Sequence, residues 1–320
     1  MRAFQLGDYV GPQGLLLVEL PDPVAGPDDL LIEVEAIGLN FYDELMTRGL
    51  YQYRPEPPVV PGSEVAGTVL SAPEGSDFAV GDRAAGFLIA GGFASRVVLS
   101  ASAAVHVPDG VSSVVAAGAT VNYHTAEFSL TARARLKESE TVLVLGASGA
   151  LGAATIQIAA RHGATVVAGF RSVPGGKAHI DGTVGSVELS EGYANRVREM
   201  VGAVDVVFDP IGGWLTEEGL RTLRPGGRLL VVGFAAGDIP KIRTNRLLLN
   251  NIALLGAALG TYLEVDAETM RAQAAFINPG LADGSLRPRI SRVVPFTDLP
   301  AALAEVGQGR AGGKIVVELD

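Results

Sequence analysis

Thr141-Val142-Leu143-Val144-Leu145-Gly146-Ala147-Ser148-Gly149-Ala150-Leu151-Gly152 carries a β-branched and leucine-rich strand directly into glycines spaced G-x-x-G-x-x-G. Residues 153–163 follow with the apolar spacing of a helix and end on Gly163, and residues 165–170 read as a second strand. Strand, glycine turn, helix and strand in this order predict a βαβ unit. Each glycine has its own task there. Gly146 permits the tight strand-to-helix turn, Gly149 lets the backbone approach a pyrophosphate, and Gly152 lets the helix pack closely. The amides at the helix start, unpaired within the helix, would face phosphate oxygens. The candidate cofactor-binding residues of the turn are therefore Gly146, Ser148, Gly149, Ala150, Leu151 and Gly152. A tight βα turn with no ligand is the alternative use of such glycines.

The rest of the chain extends this unit in both directions. With 320 residues there is room for two domains, and 48% hydrophobic against 19% charged residues is the balance of a folded globular protein. No apolar run reaches the length of a membrane span, and the first residues resemble neither a secretory nor a transit segment, so a cytoplasmic location is expected. Cysteine is absent, which excludes disulfides, thiolate nucleophiles and cysteine-bearing zinc sites. The four histidines show no H-x-x-x-H spacing. A net charge of -10 opposes a nucleic-acid or anionic-membrane surface and favours small-molecule partners.

Up to about residue 118 the text is short extended runs, among them 15–20, 30–36, 65–70 and 95–99, punctuated by Gly, Pro and Asp; this predicts a compact, mainly β domain. Residues 114–130 read as helix. From 141 to about 260 strands alternate with helices, with further strands at 205–208, 229–233 and 252–258, which predicts a doubly wound parallel α/β sheet. The last part has a strand at 289–295, a helix at 299–306 and a strand at 314–319. Because that final strand reads as alternating, it is assigned back to the β domain, which becomes discontinuous. The expected domains are 1–118 with 262–320, and 119–261.

In this order the elements resemble the zinc-independent quinone oxidoreductase branch of the medium-chain dehydrogenase/reductase superfamily. The resemblance rests on Gly38-Leu39-Asn40-Phe41-Tyr42-Asp43, Arg48-Gly49-Leu50-Tyr51, Pro61-Gly62-Ser63-Glu64-Val65-Ala66-Gly67 and Val80-Gly81-Asp82-Arg83-Ala84. It continues through the glycine turn, Asp209-Pro210-Ile211-Gly212-Gly213, Leu223-Arg224-Pro225-Gly226-Gly227-Arg228 and Gly309-Arg310-Ala311-Gly312-Gly313-Lys314. It implies a GroES-like substrate domain joined to a Rossmann domain. Alcohol dehydrogenases of the superfamily carry Gly-His-Glu where this chain has Gly62-Ser63-Glu64, together with a cysteine zinc ligand, and both imidazole and thiol are missing here.

The cofactor expected is NADPH. At the end of the second strand, where an NAD site places an acid, the chain reads Gly169-Phe170-Arg171-Ser172. A guanidinium can hold a 2′-phosphate bidentately and Ser172 can donate a hydroxyl, whereas a carboxylate would repel it. A solvated surface arginine is the alternative for Arg171. The resemblance further implies a phosphate contact at Lys177, although Val173-Pro174-Gly175-Gly176 before it departs from the pattern, and nicotinamide contacts at Gly233, Phe234 and Thr125. Among catalytic candidates it points to Asn40, as an amide donor or a loop holder, and to Tyr51, as a proton donor or an aromatic wall. Asp43 is read as organising the loop. Relatives that reduce quinones often have tyrosine where Leu45 stands.

The reaction expected is hydride transfer from NADPH to a quinone or to the activated C=C bond of an α,β-unsaturated carbonyl. An enoyl-thioester reductase and a non-catalytic nucleotide-binding protein of the same fold are the alternatives. The 252–258 strand, as a sheet edge, predicts a homodimer.

Overall fold

The computed structural model describes residues 1–172 and 182–319. Contacts divide the chain into a first unit, Met1–His124 with Gly260–Asp320, and a second, Thr125–Leu259.

The first unit opens with an antiparallel pair, β1 (Arg2–Leu6) and β2 (Leu15–Glu19). The long strand β3 (Asp29–Gly38) then leads into the short helix α1 (Phe41–Thr47). β4 (Glu64–Ser71), β5 (Arg83–Phe87), β6 (Arg96–Ser100) and β7 (Ala104–His106) follow, and α2 (Ser113–Glu127) leads towards the second unit. Leu30, Ile32, Val34 and Ala36 of β3 are all buried, the two-residue period of a strand with one face on a core. Leu30, Ile32 and Val34 belong to one core cluster with Phe4, Val69, Phe93 and Leu99.

The second unit continues from α2 through a π-helical turn (Phe128–Arg133) to β8 (Thr141–Leu145), α3 (Ala150–Arg161) and β9 (Thr165–Phe170). Next come β10 (Gly185–Glu188), α4 (Tyr193–Val201), β11 (Val204–Asp209), α5 (Trp214–Leu220), β12 (Leu223–Val231), α6 (Thr244–Asn250) and β13 (Ala253–Gly256). The six strands pair in parallel in the order β10-β9-β8-β11-β12-β13. In chain order this is 3-2-1-4-5-6, so the winding reverses between β8 and β11, the switch point at which such sheets hold ligands. All five residues of β8 are buried, as expected of a central strand covered on both faces.

The chain then returns to the first unit with α7 (Leu259–Leu263), α8 (Thr269–Asp283), β14 (Ile290–Pro295), α9 (Leu299–Gly307) and β15 (Lys314–Glu318). The sheet here runs β14-β15-β3-β4-β5-β7, with β6 also on β3. The mixed α/β class and the return of the last strand to the mainly β unit agree with the sequence reading, but the reason given for that return does not. β15 does not alternate: Lys314, Ile315, Val316 and Val317 are all buried, because both faces of the sheet are covered there, Ile315 and Val317 entering one core cluster and Val316 another. Among the described residues no helix is long and apolar enough to cross a membrane.

Candidate active site

In the second unit the carboxyl ends of β9, β8, β11 and β12 lie side by side. After β8, Gly146 turns the chain at φ +73°, a left-handed conformation that favours glycine. Gly149 N–H donates to the Gly146 carbonyl at 3.0 Å, and α3 starts with Gly149 at its N-cap and no side-chain cap. The first amides of α3 are therefore left for a ligand or water. A Cβ on Gly152 would stand 2.2 Å from the Gly146 carbonyl oxygen, so the close approach of helix and turn requires glycine. Gly149 differs: a Cβ there would meet only the Gly146 oxygen, at an ordinary 3.5 Å. Packing within the protein does not demand glycine at 149, which fits a ligand approaching that backbone. Ser148 and Gly149 are exposed, and Ala150 and Leu151 are half-buried.

Beyond β9, Arg171 and Ser172 are both exposed, and no ion pair engages Arg171 among the described residues. Lys177 lies outside the described residues. The turn after β11 is built by Asp209, 1% exposed. Its carboxylate accepts the N–H groups of Ile211 and Gly212, each at 2.9 Å, and the Thr216 hydroxyl at 2.6 Å. Loop 233–238 is laced to that turn by Ala235 N–H to Pro210 O at 3.2 Å and Ala236 N–H to Ile211 O at 2.9 Å. Gly233 and Phe234 thus sit half-buried at the same edge of the sheet. Thr125 is half-buried on α2; its carbonyl accepts the Ser129 hydroxyl at 2.6 Å, and its own hydroxyl has no partner among the described residues. The sequence reading used Asp209 only as part of a motif; an aspartate followed by Pro and two glycines is the signal from which its turn-building task can be read.

In the first unit, β3 ends at Gly38 and delivers Asn40 to the start of α1. The Asn40 N–H donates to Asp43 Oδ2 at 2.8 Å, and the Asp43 N–H returns to the Asn40 carbonyl at 3.1 Å. The Asn40 amide group shares its two hydrogens among Gly38 O at 3.2 Å, Ser63 Oγ at 3.3 Å and Glu64 Oε2 at 3.0 Å, while its Oδ1 accepts the Lys314 ammonium at 2.6 Å. Lys314 also donates to Glu64 Oε2, and the Val121 N–H to Glu64 Oε1 at 2.6 Å. Lys314 and Glu64 are almost wholly buried, with side chains 2% and 0% exposed. Asp43 is fully buried, and among the described residues its Oδ1 has no hydrogen-bond partner. Burial pushes its carboxyl up to about 7, opposed by the Ser63 hydroxyl, the Asn40 N–H and the Lys314 ammonium, while Glu64 adds to the rise. The sequence reading missed the Glu64–Lys314 pair, whose signal is a lone lysine at the head of an otherwise apolar strand.

Tyr51 is half-buried, with its ring edge-on to Tyr42 at a centroid distance of 4.2 Å. Tyr42 spends its hydroxyl on the Ile89 carbonyl at 2.6 Å, whereas the Tyr51 hydroxyl has no partner among the described residues. Burial raises the Tyr51 pKa and keeps the phenol protonated.

Against known proteins, residues 26–109 match the alcohol dehydrogenase GroES-like domain family and residues 175–317 the family described as zinc-binding dehydrogenase. Quinone oxidoreductase-like protein 2 of Rattus norvegicus is 32% identical over 315 residues, covering 96% of this chain and 89% of that protein. The quinone oxidoreductase of Thermus thermophilus, solved alone and in complex with NADPH, superposes with a TM-score of 0.85 at 35% identity, covering both chains fully (100% each). Mycobacterial Rv1454c in complex with NADPH gives 0.89 at 29% identity, with 99% of each chain covered.

Proposed function

The chain belongs to the zinc-independent quinone oxidoreductase branch of the medium-chain dehydrogenase/reductase superfamily, and on that premise we propose that it is an NADPH-dependent reductase of quinones or of activated C=C bonds in α,β-unsaturated carbonyl compounds. The observation that carries the reading is the glycine turn, where Gly149 is left open by the protein's own packing beside the uncapped start of α3. The turn from Gly146 to Gly152 holds the pyrophosphate, Arg171 and Ser172 the 2′-phosphate, and Gly233, Phe234 and Thr125 orient the nicotinamide. Bound NADPH supplies the hydride.

The chain's own side chains supply the rest. Tyr51, protonated and without a hydrogen-bond partner among the described residues, is the proton donor we assign to the enolate or quinol oxygen. Asn40 is assigned a positioning task, because three protein acceptors already share its two amide hydrogens. The family description names zinc, and the donor set does not fit that ion. Among the described residues no three His, Cys, Asp or Glu side chains converge, and at Ser63-Glu64 the carboxylate oxygen Oε2 is taken by the Lys314 ammonium. No step is routed through a metal.

The test is oxidation of NADPH and of NADH, measured separately by loss of cofactor absorbance, with p-benzoquinone, phenanthrenequinone, simple enones and crotonyl-CoA as acceptors. NADPH-selective turnover of quinones or enones supports the reading. A preference for crotonyl-CoA moves the assignment to enoyl-thioester reduction, and NADH preference removes the role of Arg171. A homodimer belongs to the same proposal. Among the described residues β13 ends the six-stranded sheet and pairs on one side only, with β12, which leaves its other edge for a second copy. Light scattering that finds only monomer rejects this.

A further inference from the structure

Towards the amino-terminal ends of β12 and β13, away from the glycine turn that follows β8, the second unit contains another hollow. Its volume is about 350 Å³, and it lies among α4, α5, α6 and the starts of β12 and β13. Leu220 and Ile252 give it an apolar floor. Arg198, Arg221 and Arg246 converge on its wall with the amide of Asn195, and among the described residues no carboxylate lines it. The volume falls in the range of small-molecule sites, whose pattern is an apolar surface with a few convergent polar groups.

The hydrogen-bond account of these arginines leaves donors over. Arg198 gives Nε and Nη2 to the Arg221 carbonyl at 2.9 and 2.6 Å, which closes the carbonyl end of α5 and leaves Nη1 unspent. Arg221 makes one side-chain bond, from Nη1 to Glu218 at 2.6 Å. Arg246 comes no nearer to a carboxylate than 3.9 Å, from Glu217, which is beyond hydrogen-bond reach. A guanidinium has five N–H donors in a planar fork matched to phosphate and carboxylate oxygens. Even with Arg221 ion-paired to Glu218 at 2.6 Å and Arg246 facing Glu217 at 3.9 Å, each of the three guanidiniums keeps N–H donors that an anion entering the hollow can engage.

We propose that this groove is a second ligand site, taking a small organic phosphate whose oxygens are held by Arg198, Arg221 and Arg246 and whose apolar or aromatic part rests on Leu220 and Ile252. Because none of its lining residues belongs to the glycine turn or to the residues after β9, it can be filled while the glycine turn holds a dinucleotide. The ligand chemistry is that of a nucleoside monophosphate or a phosphorylated metabolite of similar size.

The test is isothermal titration of AMP, adenosine, inorganic pyrophosphate and sulfate into protein already saturated with NADPH, so that the glycine turn is taken. AMP is expected to bind more tightly than pyrophosphate, because it also covers the floor, while adenosine gives no heat. Arg246→Ala should weaken AMP about tenfold, and Arg246→Glu should abolish it, both without change in the melting temperature of the ligand-free protein. Arg310→Ala, an exposed arginine in the first unit, should leave AMP binding unchanged. Sulfate binding as tightly as AMP marks an unspecific cationic surface and overturns the proposal. So does an AMP affinity unaffected by Arg246→Glu, or the absence of AMP binding.

Discussion

At the carboxyl edge of the parallel sheet the polar groups are backbone amides and exposed side chains that no other described residue engages: the start of α3, the turn at Gly149 and Arg171. At the corner between β3 and α1 the polar groups are side chains spent on one another, with Lys314, Glu64, Asn40 and Asp43 sealed from water. The first region is built for something that is not part of the chain, and substitutions there should alter binding more than folding. The second satisfies itself in all but the Oδ1 of Asp43, and substitutions there should alter folding first. The difference also fixes what local sequence can reveal. An open turn depends on glycines a few residues apart, whereas a closed cluster depends on partners hundreds of residues apart.

The largest effect is expected at Lys314. Lys314→Met leaves the Glu64 carboxylate buried without its cation, and losing one partner of a buried pair costs about 3–5 kcal/mol. Urea unfolding measures the loss. Lys314→Met combined with Glu64→Gln should recover a good part of it, since the amide oxygen can still accept from Val121 and no buried charge remains from the pair. If the double variant is as unstable as the sum of the single ones, the two side chains are not coupled and the cluster is not the unit described above.

Two glycines sharpen the contrast from the other side. Gly152→Ala drives a methyl to within 2.2 Å of a backbone oxygen that has no room to yield, so stability should fall by about 1–3 kcal/mol. Gly149→Ala meets nothing closer than 3.5 Å and should change stability by less than about 0.5 kcal/mol. It should nevertheless weaken NADPH about tenfold, because the methyl stands where the ligand's phosphate approaches. Urea titration paired with fluorescence titration of NADPH separates the two outcomes. Equal losses of stability would remove the case for Gly149 as a ligand-facing residue.

Arg171 is the side-chain counterpart. Exposed and without an ion pair among the described residues, it can be removed with no measurable loss of stability. Arg171→Ala should raise KM for NADPH about tenfold while leaving KM for NADH unchanged. A parallel rise for both cofactors would mean that the guanidinium does not recognise the 2′-phosphate.

How much could be read in the chain follows the same division. The βαβ unit was legible because its strand, glycines and helix are contiguous, and β9 ends at Phe170 as its text indicates. β15 reads into the right sheet on a mistaken argument: its residues are buried on both faces, and Lys314 is tolerated there because Glu64, 250 residues earlier, and Asn40 meet it. The helix α8 went unread because Pro279 interrupts it and its apolar residues do not form a clean stripe. The short β5 and β7 escaped because glycine and small residues carry little strand signal.

The smallest effect expected is a slope, and it tests whether the closed cluster is as sealed as its distances indicate. Burial holds the Asp43 carboxyl at about 7, above its value in an unfolded chain near 4. Between those values the folded protein binds a proton that the unfolded chain has released, so this group's contribution favours folding at low pH and is lost as pH rises towards 7 and beyond. His124, fully buried, runs the other way. Burial lowers it to about 4, with the Gln273 hydrogen bond opposing, so the unfolded chain binds the extra proton and stability rises with pH up to about 6.5. The two slopes offset each other in the native protein over most of the acidic range. Asp43→Asn should therefore unmask the histidine: urea midpoints at pH 5, 6, 7 and 8 should climb more steeply in the variant than in the native protein, by at most about 1.4 kcal/mol per pH unit. Parallel curves would mean that Asp43 titrates as an ordinary carboxyl, and that water reaches the β3–α1 corner as freely as it reaches the glycine turn.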